Sequence, residues 1–109
     1  MIEVREYLDP RGRSPYGRWF DKLDARAAAK VVTAVLRMEQ GNLSAVKGVG
    51  AGVHECRIDF GPGYRVYFGK DGDRLIILLG GGTKTRQQKD IATAQELWRE
   101  YRRRRRQES

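Results

Sequence analysis

The stretch from Val53 to Lys84, VHECRIDFGPGYRVYFGKDGDRLIILLGGGTK, restricts the chain more than any other. It contains three strand-like runs separated by Gly61-Pro62-Gly63 and by Asp71-Gly72, a two-residue hairpin signal. Alternate residues of a strand point to opposite faces. His54, Cys56, Ile58 and Phe60 therefore share one face of the first run, and Glu55, Arg57 and Asp59 share the other. On the second run Tyr64, Val66 and Phe68 oppose Arg65 and Tyr67. Register follows the hydrophobic pattern. A three-residue loop at 61–63 keeps the faces unmixed, and is expected to pair Phe60 with Tyr64, Ile58 with Val66, Arg57 with Tyr67, and Asp59 with Arg65. A two-residue turn at Asp71-Gly72 then sets Phe68 against Leu75 and Val66 against Ile77. The expected core face carries Ile58, Phe60, Tyr64, Val66, Phe68, Leu75, Ile77 and Leu79. The opposite face carries Glu55, Arg57, Asp59, Arg65 and Tyr67 beside Ile76 and Leu78. Lys84 is expected to leave the third strand near Arg65 and the Gly61-Pro62-Gly63 loop.

The elements around this meander follow from local signals. Met1 to Leu8 reads as a first strand, broken by Asp9-Pro10-Arg11-Gly12. Ser14-Pro15 is a helix start, with Ser as N-cap and Pro at the first helical position. Tyr16, Trp19, Phe20 and Leu23 then form one apolar face. Asp24 caps a second helix whose stripe is Ala28, Val31, Val35 and Met38, widened by Val32 and Leu36, and Gly41 ends it. Residues 43–52 read as a glycine-rich loop. Gly80-Gly81-Gly82 is expected to end the last strand. A third helix is expected from about Arg86 to Arg105, with Ile91, Ala94, Trp98 and Tyr101 covering Ile76 and Leu78. The order β-α-α-β-β-β-α makes an α+β domain. Its small, mainly antiparallel sheet has a helix pair on the face bearing Ile58, Val66 and Ile77, and a C-terminal helix.

The 109 residues suit one domain spanning 1–109, with a basic tail at about 102–109. A formal charge of +8 points to a polyanionic partner such as nucleic acid, a membrane surface or an acidic protein. The single cysteine, Cys56, has no internal disulfide partner and sits on the core face. Met1 to Leu8 carries Glu3, Arg5 and Glu6, unlike a signal peptide, and no apolar run reaches the roughly 20 residues of a membrane span. A cytoplasmic protein without membrane contact is expected. There is no GxSxG, HExxH, CxxC pair or P-loop. His54 is the one histidine, and no cluster has metal-ligand spacing, so neither a metal nor a cofactor is expected. The cationic group Arg57, Arg65, Tyr67 and Lys84 converges on one end of a sheet face. It can be read as a solvated face or as an anion site.

VHECRI, GPGYRVYF and LLGGGTKTRQQKDIATA, with WFDKL and the Gly41-Asn42 loop upstream, resemble the RelE/ParE superfamily of bacterial toxin–antitoxin toxins, in particular its HigB-like members. The resemblance covers nearly the whole chain. It implies a β-α-α-β-β-β core and, as the best-known activity, metal-independent endoribonucleolytic cleavage of mRNA on the ribosome. It equally admits a ParE-like inhibitor of DNA gyrase, or a relic that only binds its antitoxin. By motif, Arg65 is the implied transition-state arginine, Arg57 a positioning residue, Lys84 the cation for the phosphate or leaving group, and Tyr67 a stacking or proton-transfer group. Arg86 is implied beside Lys84. Arg86, Lys89, Arg102, Arg103, Arg104 and Arg105 are the expected RNA contacts, the run from Arg102 to Arg106 reading as a dock for ribosomal RNA or as a solvated helix end. The implied partners are a cognate antitoxin, expected to be a helix-turn-helix protein encoded adjacently, the ribosome and its mRNA, and operator DNA through the antitoxin complex. The chain has no match to the C-terminal catalytic tyrosine of RelE, nor to the histidines of some HigB relatives, since Asp90-Ile91 occupies that neighbourhood.

Overall fold

A computed structural model describes residues 1–108; Ser109, the end of the basic tail, lies outside the described residues. The elements are β1 (Glu3–Glu6), α1 (Pro15–Phe20), α2 (Ala25–Glu39), β2 (Val46–Gly48), β3 (Val53–Ile58), β4 (Tyr64–Lys70) and β5 (Leu75–Thr83). A short 3-10 turn (Lys84–Arg86) then leads into α3 (Gln87–Glu108). The five strands lie in the order β1-β5-β4-β3-β2, antiparallel except that β1 runs parallel to β5. This is the expected α+β architecture, with an added edge strand in the segment read as loop.

The helix starts form as their caps dictate. Ser14 Oγ accepts from the Gly17 amide at 2.9 Å, and Asp24 Oδ1 from the Ala27 amide at 2.8 Å. Gly41, at φ 86°, ends α2. The buried stripe of α2 is Ala27, Val31 and Met38, flanked by Ala34 and Val35. Val32 and Leu36, expected to widen it, are exposed, on the side of the helix turned away from the buried stripe.

The register departs from expectation twice. β3 and β4 pair Ile58 with Tyr64, Arg57 with Arg65, Cys56 with Val66 and Glu55 with Tyr67. The connection is thus residues 59–63, two residues longer than Gly61-Pro62-Gly63 alone. An even slip preserves the faces and changes the neighbours. Between β4 and β5 the connection is 71–74. A bulge between Tyr67 and Phe68 shifts only the pairs beyond, setting Tyr67 opposite Gly80; the turn itself pairs Lys70 with Ile76 and so Phe68 with Leu78. Relative to the expected Phe68–Leu75 pair this is an odd slip, which turns β5 over. Ile76 and Leu78 therefore join Ile58, Val66 and Phe68 beneath α1 and α2. Ile77 and Leu79 face the other way, against Ala94 and Trp98 of α3. The α3 stripe forms as expected and covers the alternate pair.

Gly80, Gly81 and Gly82 belong to β5 instead of ending it. Two of them are made necessary by close approach. The ring of Trp19 occupies the space a Gly81 side chain would fill, and the Asp90 carboxylate does the same at Gly82 on the other face. Helix α3 runs past its expected end. Tyr101 Oη donates to Asp71 Oδ2 at 2.7 Å, Arg105 Nε to the same oxygen at 2.9 Å, and an Arg104 Nη to the Leu8 carbonyl at 2.7 Å.

Candidate functional site: a half-buried ionic cluster under the start of α3

Helix α3 crosses the sheet face that β3 and β4 fill with Glu55, Arg57, Arg65 and Tyr67. Its C-terminal half packs apolar residues onto Ile77 and Leu79, whereas its first turn meets charge. Glu55 is only 1% exposed and Arg65 6%. Arg65 Nε stands 3.5 Å from Glu55 Oε1 without a hydrogen bond, and an Arg65 Nη donates to the Gly63 carbonyl at 2.9 Å. Gln87 Nε2 donates to Glu55 Oε2 at 2.8 Å, and Lys47 Nζ reaches within 3.8 Å of Oε1 from the edge strand β2. Glu55 Oε1, Arg65 Nε and Tyr67 Oη are all buried without a hydrogen-bond partner. Glu55 Oε1 and Arg65 Nε thus form an ion pair without a hydrogen bond, unusual for a folded interior, where nearly every polar atom is hydrogen-bonded.

The cationic residues singled out in the sequence come together, in altered pairs. Arg57 lies directly opposite Arg65, not Tyr67. Two like charges as cross-strand neighbours oppose folding. Asp59 was expected to hold Arg65; it sits 3.5 Å from Arg57 Nε instead, and Glu55 takes the Arg65 role. The cause is the two-residue slip, which carries Asp59 out of the ladder. Lys84 arrives where expected, its amide donating to the Gly63 carbonyl at 3.1 Å. Arg65, expected to lie off the core, is buried, on the sheet face that α3 crosses. Tyr67 is buried at 1% exposure, opposite Glu55. Burial first, then the charges of Glu55 and Asp90, push its phenol well above the ordinary value. The phenol therefore stays protonated, able to donate a hydrogen bond, and its buried ring offers no open face for stacking. Burial likewise raises Asp90, against the lowering effect of Arg86.

Arg86 and Lys89 are exposed at the start of α3, beside this cluster. The run at 102–105 is far from it. Arg103 pairs with Glu100 and Arg105 with Asp71, while the Arg104 guanidinium lies 5.0 Å over the Tyr7 ring. Sequence reasoning gave no role to Lys47, Glu55, Gln87 or Asp90. Glu55 had a signal, since an acidic residue alternates there with core residues and faces Arg65. Gln87 and Asp90 had none, because their place depends on how α3 enters. Glu55 lies on the floor of an open cleft of about 430 Å³ rimmed by Ser44, Lys47, Arg57 and Asp59. Its Oε1 is itself buried, between Arg65 and the exposed Lys47 that covers it from the β2 side. Among the described residues no group of three or more His, Cys, Asp or Glu gathers as a metal would need, and no helix is long and apolar enough to cross a membrane.

The family described as "Phage derived protein Gp49-like (DUF891)" matches residues 18–99, a segment holding the whole cluster from Lys47 to Asp90. An uncharacterized protein of Haemophilus influenzae (strain Rd) is 43% identical over 86 residues, covering 78% of this chain and 87% of that one. The chain belongs to the Gp49-like phage-derived protein family, a toxin–antitoxin-associated family related to RelE-like toxins, and membership implies an antitoxin partner.

Proposed function

We propose that the protein is the toxin of a type II toxin–antitoxin module and acts as a metal-independent, ribosome-dependent mRNA endoribonuclease. The observation that carries this reading is the cross-strand pairing of Arg57 with Arg65, beside the buried carboxylate of Glu55, with Lys84 at the same end of the sheet. Juxtaposed arginines are costly unless an anion joins them, and their planar forks match phosphate oxygens. In the reaction the ribose 2′-oxygen attacks the adjacent phosphorus, its proton passes to Glu55, and the bond to the 5′-oxygen breaks. Arg65 carries the charge that develops on the phosphorane, Arg57 holds the phosphate in line, and Lys84 supports the departing oxygen. Tyr67, held protonated, donates toward the same oxygens. RNA is required because DNA lacks the 2′-hydroxyl. Arg86 and Lys89 contact RNA around the cut site, while the cations at 102–105, too distant to do so, serve docking to ribosomal RNA. The antitoxin covers the basic face and blocks access.

The test is induced expression followed by mapping of mRNA ends. New ends inside translated codons, absent when Arg65 is changed, are the expected result. Gyrase-linked DNA breaks without new mRNA ends would replace this reading with that of a gyrase inhibitor. Unimpaired growth would mark the protein as a relic that only binds its antitoxin.

A further inference from the structure

A second cationic site lies at the other end of α3. Gly52, His54, Lys70, Asp71, Trp98, Tyr101, Arg102, Arg105 and Arg106 line a surface cleft of about 490 Å³. Lys70 ends β4, five residues beyond Arg65, so about 17 Å of strand separates the two sites. Helical geometry sorts the arginine run. Arg102, Arg105 and Arg106 lie at i, i+3 and i+4, on the cleft side. Arg104 turns away to Leu8 and Tyr7.

Asp71 is the one carboxylate in the lining, and it is already committed. It accepts from both Tyr101 Oη and Arg105 Nε, and the Tyr101 bond is the main reason its pKa lies below the ordinary value. Lys70 and Arg102 are exposed and form no ion pair or hydrogen bond with the described residues. The floor is rigid. Trp98 stacks on Tyr101 at 5.1 Å and 7°, and the indole occupies the space that side chains at Gly69 and Gly52 would fill. Burial, then the charge of Lys70, lowers the pKa of His54, so the imidazole senses the local field.

We propose that this cleft is a second RNA-binding site, in which Lys70 and Arg102 take a backbone phosphate while Arg105 stays fixed by Asp71. That the polyanion is RNA rests on the function proposed above. A phosphate chain fits better than an acidic peptide. Cations lining a groove are the recurring means of holding a phosphate backbone, and the cleft has no open apolar floor for peptide side chains, since Trp98 is buried. Two cationic sites at opposite ends of one helix would orient the strand across the sheet.

The experiment follows His54, the single histidine, by proton magnetic resonance while an uncleavable 2′-O-methyl RNA oligonucleotide is added to the full chain. Binding is read without ribosomes or turnover. The imidazole pKa is expected to rise when RNA neutralises Lys70. Lys70→Ala and Arg102→Ala should each weaken binding roughly tenfold. Each should also lower the salt slope of log K by about 0.7. Both side chains are exposed, so circular dichroism should match wild type. Wild-type affinity and slope in both variants would overturn the site. So would polyglutamate competing as well as RNA, which would assign the cleft to an acidic protein. If the wild type cuts mRNA while the variants bind RNA normally, only the cleft falls. If it cuts no mRNA but shows the expected binding differences, the nuclease reading falls and the cleft stands.

Discussion

The two faces of the sheet are covered by helices in opposite ways. Under α1 and α2 the contact is apolar from end to end, from Ile2 and Val4 through Ile76, Leu78, Phe68 and Val66 to Ile58. Under α3 the apolar contact stops halfway. Trp98 and Ala94 pack on Ile77 and Leu79, whereas Gln87 and Asp90 meet Glu55, Arg65 and Tyr67. One face is built for burial alone. The other joins a packed half to a half whose polar atoms are left unsatisfied, and such atoms cost free energy until something pairs with them. The helix-pair face should thus govern stability, and the first turn of α3 should govern activity.

The largest expected effect tests that division directly. Arg65→Ala should abolish growth arrest and also destabilise the fold by about 3–5 kcal/mol, because Glu55 is left buried and unpaired. Arg65→Lys separates the two effects. It retains the charge against Glu55 and loses the fork, so the fold should survive while cleavage falls by about 10²-fold, measured as mRNA end formation per folded molecule. A folded Arg65→Lys protein as toxic as wild type would remove Arg65 from the chemistry. Arg57→Ala and Lys84→Ala should cost less. On the other face, Phe68→Ala should lower unfolding free energy by about 3–5 kcal/mol in urea, with cleavage per folded molecule unchanged. Gly81→Ala drives a methyl group into the Trp19 ring and should cost about 1–3 kcal/mol; a neutral result would mean that α1 sits loosely on β5.

The smallest effect concerns the far end of α3. The Tyr101 and Arg105 hydrogen bonds hold the Asp71 pKa below its ordinary value of 3.8. A depressed carboxylate stabilises the fold above its unfolded pKa and loses that contribution as pH falls through the folded one. Amide exchange at the C-terminal end of α3 should therefore quicken only below pH 3.8, and Asp71→Asn should remove that step. If the step persists, another group ties the helix down.

Much of this division could be read from residue order. Alternation along β3 and β4 assigned every side chain to its correct face, because each strand has one polar and one apolar side. The first strand, both helix caps and the α3 stripe were equally plain. The third strand was not, because Leu75 to Leu79 is apolar on both faces and no pattern tells which way up it lies. Asp71-Gly72 suggested a tight turn, but the longer connection, which pairs Lys70 with Ile76, inverted the strand. The glycines of β5 looked like an ending because their use lies in what packs on them, Trp19 and Asp90, both distant in sequence. Arg57, Arg65 and Lys84 were placed together from parity alone. Glu55 and Gln87 were overlooked because an ion pair closed by an incoming helix leaves no local trace.

The parallel pairing of β1 with β5 has a consequence in time. Residues 3–6 hydrogen-bond to residues 75–78, so the first strand to be synthesised waits for the last. Contacts so distant along the chain slow folding, since a long loop must close before they form. The ionic cluster adds Gln87 and Asp90, which appear later still. A chain emerging during translation cannot assemble this site until the start of α3 has followed the sheet out, so the fold delays its own competence until that helix is made.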